Sequence, residues 1–284
     1  MRDQADDEPQ GTEHRGAGAQ DQPAASDASD ALTRRSFLGR IGASTAVAMT
    51  AAGLPGFSLV DAQALDWNAI AKLSIEAFRT SVNEWIGQAR VQGGKVSGSA
   101  AVLPAGSLNS DVDIEKRMLA ILSASRVPTE VSAPIATVLA GAWHDWAAGF
   151  QMQIRGAYPT LAAVPAPSAP PTKASISPVL SQGTSAGEAS LSAPVLAKRL
   201  IAAVRMHAPG VSGGSSDQAM QNLAAWVDAS FVRWKSTVRL TSLVGSGPVP
   251  TYGPPYVPVG PVIQGVTTSA GPLFSGARFG IVVP

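Results

Sequence analysis

The feature that most constrains the fold is a set of residues that occurs twice in the same order. The first set lies within 115–187 and the second within 197–271, and each member returns 82 to 84 residues later. A repeat of this length exceeds a solenoid unit, so it predicts two copies of one small module. The repeated members are Lys116-Arg117 and Lys198-Arg199, Trp143-x-Asp145 and Trp226-x-Asp228, Pro170-Pro171 and Pro254-Pro255, and Thr-Ser-Ala-Gly at 184–187 and 268–271.

Each copy contains apolar residues at helical spacing, followed by a short strand-like pattern. The predicted helices cover about 112–125 and 132–150 in the first copy, and 194–207 and 217–234 in the second. Strands are predicted at 151–155 and 235–243. The proline- and glycine-rich stretches 158–178 and 245–261 read as polyproline-like surface loops, because proline is poorly tolerated inside a sheet. Residues 274–284 form a strand-like tail.

A shorter unit precedes the two copies. Asp66 is the expected N-cap of a helix from Trp67 to about residue 86, and Gly93-Gly94 predicts a tight hairpin after it. The spacing of Trp85 and Arg90 equals that of Trp234 and Arg239, which suggests a truncated third copy. The predicted fold class is therefore mainly α with minor β, built from tandem duplicated helix-helix-strand modules with long Pro/Gly-rich ordered loops.

Composition excludes several kinds of chemistry. The chain has no cysteine, which rules out disulfides, thiolate nucleophiles and cysteine-ligated metal sites. Charged residues make up only 14% of the sequence. Beyond residue 64 there are 16 basic and 11 acidic side chains, and no cluster of lysine and arginine follows one face. We therefore expect no nucleic-acid partner.

The first 64 residues differ from the rest of the chain. Residues 1–32 are acidic and nearly free of large apolar side chains, which predicts disorder. After them comes a segment that resembles a bacterial twin-arginine signal peptide. The resemblance covers residues 33–64 and rests on Arg34-Arg35, Phe37-Leu38, the apolar run 41–60 and the cleavage-site pattern Ala62-Gln63-Ala64.

The resemblance implies recognition by the twin-arginine translocase and export across the inner membrane, to the periplasm, the cell envelope or the medium. The mature protein would then begin at Leu65 and keep no membrane span. The predicted organisation is a disordered region (1–32), a signal peptide (33–64), a truncated first module (65–109), copy one (110–191) and copy two with the strand-like tail (192–284).

Candidate site residues are few. His144-Asp145 suggests a hydrolase triad, but no serine lies in a nucleophile-elbow motif, and the position of His144 is Val227 in copy two. We therefore predict no catalytic, cofactor-binding or metal-binding residue. Trp143, Asp145, Trp226 and Asp228 are predicted to form the core of each repeat, with both tryptophans largely buried. The loop tyrosines Tyr158, Tyr252 and Tyr256 are the candidates for contact with a partner.

Three functions fit these observations. The first is an exported, non-enzymatic structural or interaction protein that presents its Pro/Gly-rich loops to a partner or to itself. The second is an envelope hydrolase that uses serine and His144. The third is a subunit of a secreted or phage-tail-like assembly, which differs from the first only in its oligomeric state.

Overall fold

The computed structural model describes residues 65–158, 168–248, 262, 264–276 and 278–282. The first 64 residues, which hold the predicted signal peptide, lie outside this set. Within it there are five α-helices and eleven β-strands, joined by two short 3-10 helices at Leu180–Gln182 and Glu188–Leu191. The helices are α1 (Trp67–Gln88), α2 (Ile114–Ala124), α3 (Thr129–Gly149), α4 (Ala193–His207) and α5 (Gly214–Thr237).

The strands are short and lie between the helices along the chain. They are β1 (Arg90–Val91), β2 (Gly94–Ser97), β3 (Ala100–Leu103), β4 (Leu108–Asn109), β5 (Phe150–Ile154), β6 (Ser168–Lys173), β7 (Thr184–Ser185), β8 (Arg239–Leu240), β9 (Leu243–Pro248), β10 (Gly265–Ser269) and β11 (Phe274–Ser275). Seven of them form one antiparallel sheet in the order β6-β9-β10-β2-β3-β5-β7, while β1 pairs with β4 and β8 with β11.

The predicted fold class is wrong. The described part of the chain is 52% helical and 20% strand, and its seven-stranded sheet makes it a mixed α/β fold. The sheet also draws its strands from all three predicted modules: β2 and β3 from 65–109, β5 to β7 from 110–191, and β9 and β10 from 192–284. Because neighbouring strands come from different modules, the fold is not a row of separate helix-helix-strand units.

Two strands lie in stretches that were predicted to be loops. Strand β6 contains Pro170 and Pro171, and it occupies an edge of the sheet, where a missing backbone donor is tolerated. Strand β9 contains two glycines, and Gly245 leaves room for the ring of Tyr158, which would lie 2.6 Å from an added Cβ atom. Contacts between residues far apart in sequence therefore determine that both segments form strands.

The predicted hairpin at Gly93-Gly94 is also wrong. Strand β1 turns away to pair with β4, and the tight hairpin joins β2 to β3 instead. Ser97 pairs with Ala100, so the turn consists of Gly98 and Ser99, and Gly98 has a φ of 61°. A left-handed first turn residue suits the twist of a two-residue hairpin. The segment 278–282, predicted to be strand-like, belongs to no strand.

The predicted helices are confirmed, although their ends differ by a few residues. Asp66 accepts a hydrogen bond from the backbone N–H of Ala69 at 3.0 Å and caps α1 as predicted. Asp113 caps α2 in the same way through the N–H of Lys116, at 2.9 Å. Helix α5 continues to Thr237, so the strand predicted at 235–243 is reduced to β8 and the first residue of β9.

Three helices pass directly into strands in the same manner, at the ends of α1, α3 and α5. A tryptophan precedes each junction by one turn: Trp85, Trp146 and Trp234. The backbone turns from helical to extended at a single residue, with ψ between 132° and 142°. Since no loop separates helix from strand, the helix fixes which strand residues face the core. These turning residues are Ala89, Phe150 and Val238.

The helices share one hydrophobic core with one face of the sheet. Strand β5 illustrates the alternation, with Phe150, Met152 and Ile154 buried and Gln151 and Gln153 exposed. The centre of the core is a cluster of aromatic rings around Trp143, whose ring lies 4.8 to 6.2 Å from six others. Those six belong to Phe78, Trp85, Trp146, Phe231, Trp234 and Phe279.

Candidate functional site

His144, the residue that the hydrolase alternative would use, lies in a groove of about 410 Å³ between the end of α1, the start of α2 and α3. The side chain of His144 is exposed. Trp85 and Trp143 contribute to the floor of the groove, while Asp113 and Glu115 provide carboxylates at the start of α2. The groove is thus an apolar depression with acidic groups and one imidazole along it.

The acidic groups of this groove form hydrogen bonds that stabilise the surrounding helices. Asp113 caps α2, and Glu115 Oε1 accepts a hydrogen bond from the hydroxyl of Thr137 at 2.8 Å. No serine lines the groove, and within the described residues His144 takes part in no hydrogen bond that would align it with a nucleophile. A nucleophile and its base need to lie about 2.6–3.2 Å apart. The structure therefore does not bring a serine to His144.

The two repeated aspartates both make hydrogen bonds to α4 or to the segment that leads into it. Asp145 Oδ2 accepts hydrogen bonds from Ser190 Oγ at 3.0 Å and from Arg199 Nη1 at 3.2 Å. Asp228 Oδ2 accepts from the backbone N–H of Ala193, the first residue of α4, at 2.9 Å. A carboxylate at a helix N-terminus satisfies a free donor and interacts favourably with the helix dipole. Both aspartates thus position α4.

The two repeated tryptophans lie in different environments. Trp143 is 1% exposed at the centre of the aromatic cluster, about two turns before the end of α3. Trp226 is only partly buried and packs against the outside of the core, more than three turns before the end of α5. The residues of α5 that enter the aromatic cluster are Phe231 and Trp234.

Tyr158, one of the three tyrosines predicted to contact a partner, is 3% exposed and lies in the core. Its hydroxyl shares a hydrogen bond with the hydroxyl of Thr267 on β10. Burial raises the pKa of the Tyr158 phenol above its ordinary value, and the hydrogen bond to Thr267 acts in the opposite direction. Tyr158 is therefore not part of the surface. Tyr252 and Tyr256 lie outside the described residues.

The pairing of the edge strand β6 with β9 brings together two points of the chain that belong to the two Pro/Gly-rich stretches. Ser168, the first residue of β6, pairs with Pro248, the last residue of β9. Residues 159–167 lead into Ser168, and residues 249–261 follow Pro248. The chain therefore enters β6 and leaves β9 at one corner of the sheet. The sequence alone carried no signal of this pairing, because the partners are 80 residues apart and neither strand has a regular pattern.

A second feature that the sequence did not reveal lies beside the aromatic cluster. The chain segment 278–282 runs across α1 and α5 and inserts Phe279, which is fully buried. Asn83 on α1 binds both backbone groups of Phe279, and Ser230 on α5 accepts a hydrogen bond from the N–H of Val282. Neither Asn83 nor Ser230 stands out in the sequence, since each acts on chain 52 or more residues away.

The described residues define a mixed α/β protein in which five helices and one face of a seven-stranded antiparallel sheet enclose an aromatic core. Across these residues no helix is long and apolar enough to span a membrane, and no group of three or more histidine and acidic side chains is placed to hold a metal ion. No protein-family model, curated protein or solved structure matches the chain.

Proposed function

We propose that this chain is an exported, non-enzymatic structural or interaction protein that presents its two Pro/Gly-rich stretches to a partner or to another copy of itself. The observation that carries the proposal is the pairing of Ser168 with Pro248. Two stretches that are far apart in sequence leave the sheet at neighbouring points, so one binding partner could contact both. Tyr252 and Tyr256 belong to the second stretch, and tyrosine is enriched at protein interfaces.

The strand pairing around the attachment point supports this role. Strand β6 makes backbone pairs with β9 on both sides of its bulge, and β9 is paired on its other side with β10. Tyr158 packs beneath Gly245 in the same region and anchors it to the core. Binding residues are commonly carried on loops that a rigid scaffold positions. A firmly paired corner of this kind suits a protein whose contacts are made by long connecting segments.

The test is the concentration dependence of the molecular mass. Sedimentation velocity and light scattering of the wild-type protein should show association that is weakened when both Tyr252 and Tyr256 are replaced by serine. The matched control replaces both by phenylalanine, which retains the rings and should preserve association. Thermal melting should be alike in all three proteins. A wild type that stays monomeric at every concentration, with a melting curve unaffected by the substitutions, would contradict self-association through these residues.

Export is part of the same proposal. Replacement of Arg34 and Arg35 by lysine should leave the precursor in the cytoplasm, whereas the wild type should be recovered outside it with Leu65 as its first residue. Undiminished export of the double variant would remove the twin-arginine translocase from the proposal.

The hydrolase alternative is favoured by one observation, the position of His144 in a groove. It predicts ester or peptide hydrolysis that disappears in His144→Ala. The non-enzymatic proposal predicts that a broad panel of such substrates is left intact by both proteins. Activity in the wild type that is lost with His144 would favour the hydrolase, and large defined particles in light scattering would favour the phage-tail-like assembly.

A further inference from the structure

The groove that contains His144 carries two carboxylates. Asp113 and Glu115 line it at the start of α2, and no lysine or arginine of the described residues lies along it. In this part of the chain, neither carboxylate belongs to an ion pair. Asp113 accepts a hydrogen bond there through Oδ1, and Glu115 through Oε1. The second oxygen of each carboxylate can therefore accept a donor from a ligand.

Much of the remaining surface of the groove is apolar. Two tryptophans contribute to its floor and aliphatic side chains line it further: Trp85 and Trp143, then Val112, Ile114 and Ala140. Nε1 of Trp143 is buried, so this indole presents no hydrogen-bond donor to the groove. The groove measures about 410 Å³, within the range of about 300–1,000 Å³ that small-molecule sites occupy. A fitting ligand therefore combines an apolar body with a small number of donors.

Gly141 leaves open space in this groove. It lies in the interior of α3, and a Cβ atom added to it would meet nothing within 4 Å. Glycine weakens a helix interior relative to alanine, and packing among the described residues does not require it here. Gly149 at the end of the same helix differs, because an added Cβ would lie 2.7 Å from Ser185 Oγ. A ligand in the groove would use the space that Gly141 leaves.

We propose that the groove is a binding site for a small organic cation, a primary alkylammonium. Its charged head contacts the second oxygens of Asp113 and Glu115, and its apolar stem lies over the tryptophan floor beside Gly141. An ammonium group carries three donors and no acceptor, which matches a pair of carboxylates. An anionic ligand would be repelled, and a neutral one would leave both charges uncompensated. This site is separate from the loop contacts of the proposed function and does not depend on them.

The probe is hexylamine, and hexan-1-ol is its uncharged match. At about pH 8 an alkylamine is protonated and carboxylates are ionised. Each compound is titrated into the full-length protein while the imidazole C–H resonances are followed by NMR. His144 lines the groove, whereas His207 ends α4 and serves as the internal reference. We expect hexylamine to shift the His144 resonance saturably and to leave His207 unchanged, with hexan-1-ol binding at least about threefold more weakly.

A steric variant tests the place of binding. Gly141→Leu fills the open space beside α3 and should abolish the saturable shift. The matched control is Gly87→Leu, because Gly87 is also an exposed helical glycine with nothing within 4 Å of an added Cβ, but it does not line the groove. This control should bind hexylamine as the wild type does. Circular dichroism checks that both variants keep their helices.

A charge variant tests the recognition of the cation, and it does so even if Gly141→Leu does not fold. Asp113→Asn combined with Glu115→Gln removes both charges. Asparagine can still cap α2, and glutamine can still accept the hydrogen bond from Thr137. We expect hexylamine to bind about three- to tenfold more weakly to this variant, and hexan-1-ol to bind as before.

The proposal is overturned if hexylamine gives no saturable shift of His144, if hexan-1-ol binds as tightly, or if the folded Gly141→Leu protein or the charge variant binds hexylamine like the wild type. A capped tripeptide with a central lysine separates the two sources of an alkylammonium group. Binding of this peptide more than about tenfold tighter than hexylamine would assign the groove to a lysine of a protein partner and reject the small cation. None of these measurements depends on self-association, so a failure here leaves the proposed function standing.

Discussion

Replacement of Trp143 by alanine is the perturbation for which the structure makes the sharpest prediction. The indole is 1% exposed and touches six other aromatic rings, among them Trp146 at 4.8 Å and Trp234 at 5.4 Å. These rings come from α1, α3, α5 and the segment 278–282, so the side chain links four parts of the chain. Trp226, the tryptophan at the repeated position, is the natural comparison because it is only partly buried.

The magnitude follows from the buried area. A buried tryptophan removes about 150–250 Å² from water, which corresponds to about 4–6 kcal/mol at about 25 cal/mol per Å². Because alanine retains part of this buried area and neighbouring rings can relax toward the cavity, we expect Trp143→Ala to lower the free energy of unfolding by about 3–5 kcal/mol. Trp226→Ala removes less buried area and should cost about 1–2 kcal/mol. A whole domain is stable by only about 5–15 kcal/mol.

The indole nitrogen of Trp143 provides a further comparison, between replacement by phenylalanine and replacement by alanine. Among the described residues Trp143 Nε1 is buried and has no hydrogen-bond partner. Trp143→Phe therefore deletes volume without breaking a hydrogen bond, and it should cost clearly less than the alanine variant, about 1–3 kcal/mol. Urea unfolding followed by far-ultraviolet circular dichroism measures all three variants without relying on tryptophan fluorescence. Equal losses in Trp143→Ala and Trp226→Ala, or a loss below about 1 kcal/mol in the former, would refute the reasoning.

Two further predictions use matched or pH-dependent comparisons. Gly187→Ala should cost at least about 2 kcal/mol, because the new Cβ would lie 2.0 Å from the carbonyl oxygen of Asp145. The same change at Gly271 in the second Thr-Ser-Ala-Gly motif meets its nearest atom at 3.6 Å and should alter stability by less than about 0.5 kcal/mol in urea melts. Burial raises the pKa of Tyr158, so above about pH 10 the unfolded chain releases this proton while the folded chain keeps it, and stability falls as pH rises. Between about pH 9 and pH 11 the wild type should lose more stability than Tyr158→Phe, and equal losses would contradict the assigned direction.

The helices could be predicted from the sequence because the information is local. Apolar residues recur at three- and four-residue steps in each, and Asp66 accepts the expected hydrogen bond from the residue three positions ahead. The sheet could not be predicted in this way. Strand β9 contains Gly245 and Gly247, whose places are decided by Tyr158 and by the close approach of Gly265. These glycines look like loop residues until their distant partners are known.

The same distinction applies to the sites. The Trp-x-Asp repeat predicted Asp145 and Asp228 as core residues of each copy. Asp145 is instead exposed and accepts hydrogen bonds from Ser190 and Arg199, and Asp228 accepts a hydrogen bond from the first residue of α4. The prediction that Trp226 is largely buried is wrong, because burial depends on which helix face meets the core, and Trp226 is only partly buried. The hydrogen bonds between Asn83 and Phe279 join residues 196 positions apart. An asparagine that binds a distant backbone has no local pattern by which it could be recognised.

The three loop-free junctions between helix and strand make the chain intolerant of changes in length at these points. At the end of α3, Trp146 fixes the rotation of the helix, and Phe150 begins the alternation that buries every second residue of β5. Insertion of one residue between them would exchange the inward and outward faces of the strand, placing Gln151 and Gln153 in the core. Variation in length among related chains should therefore collect in the connecting stretches, whereas the spacing from each tryptophan to its strand should remain constant.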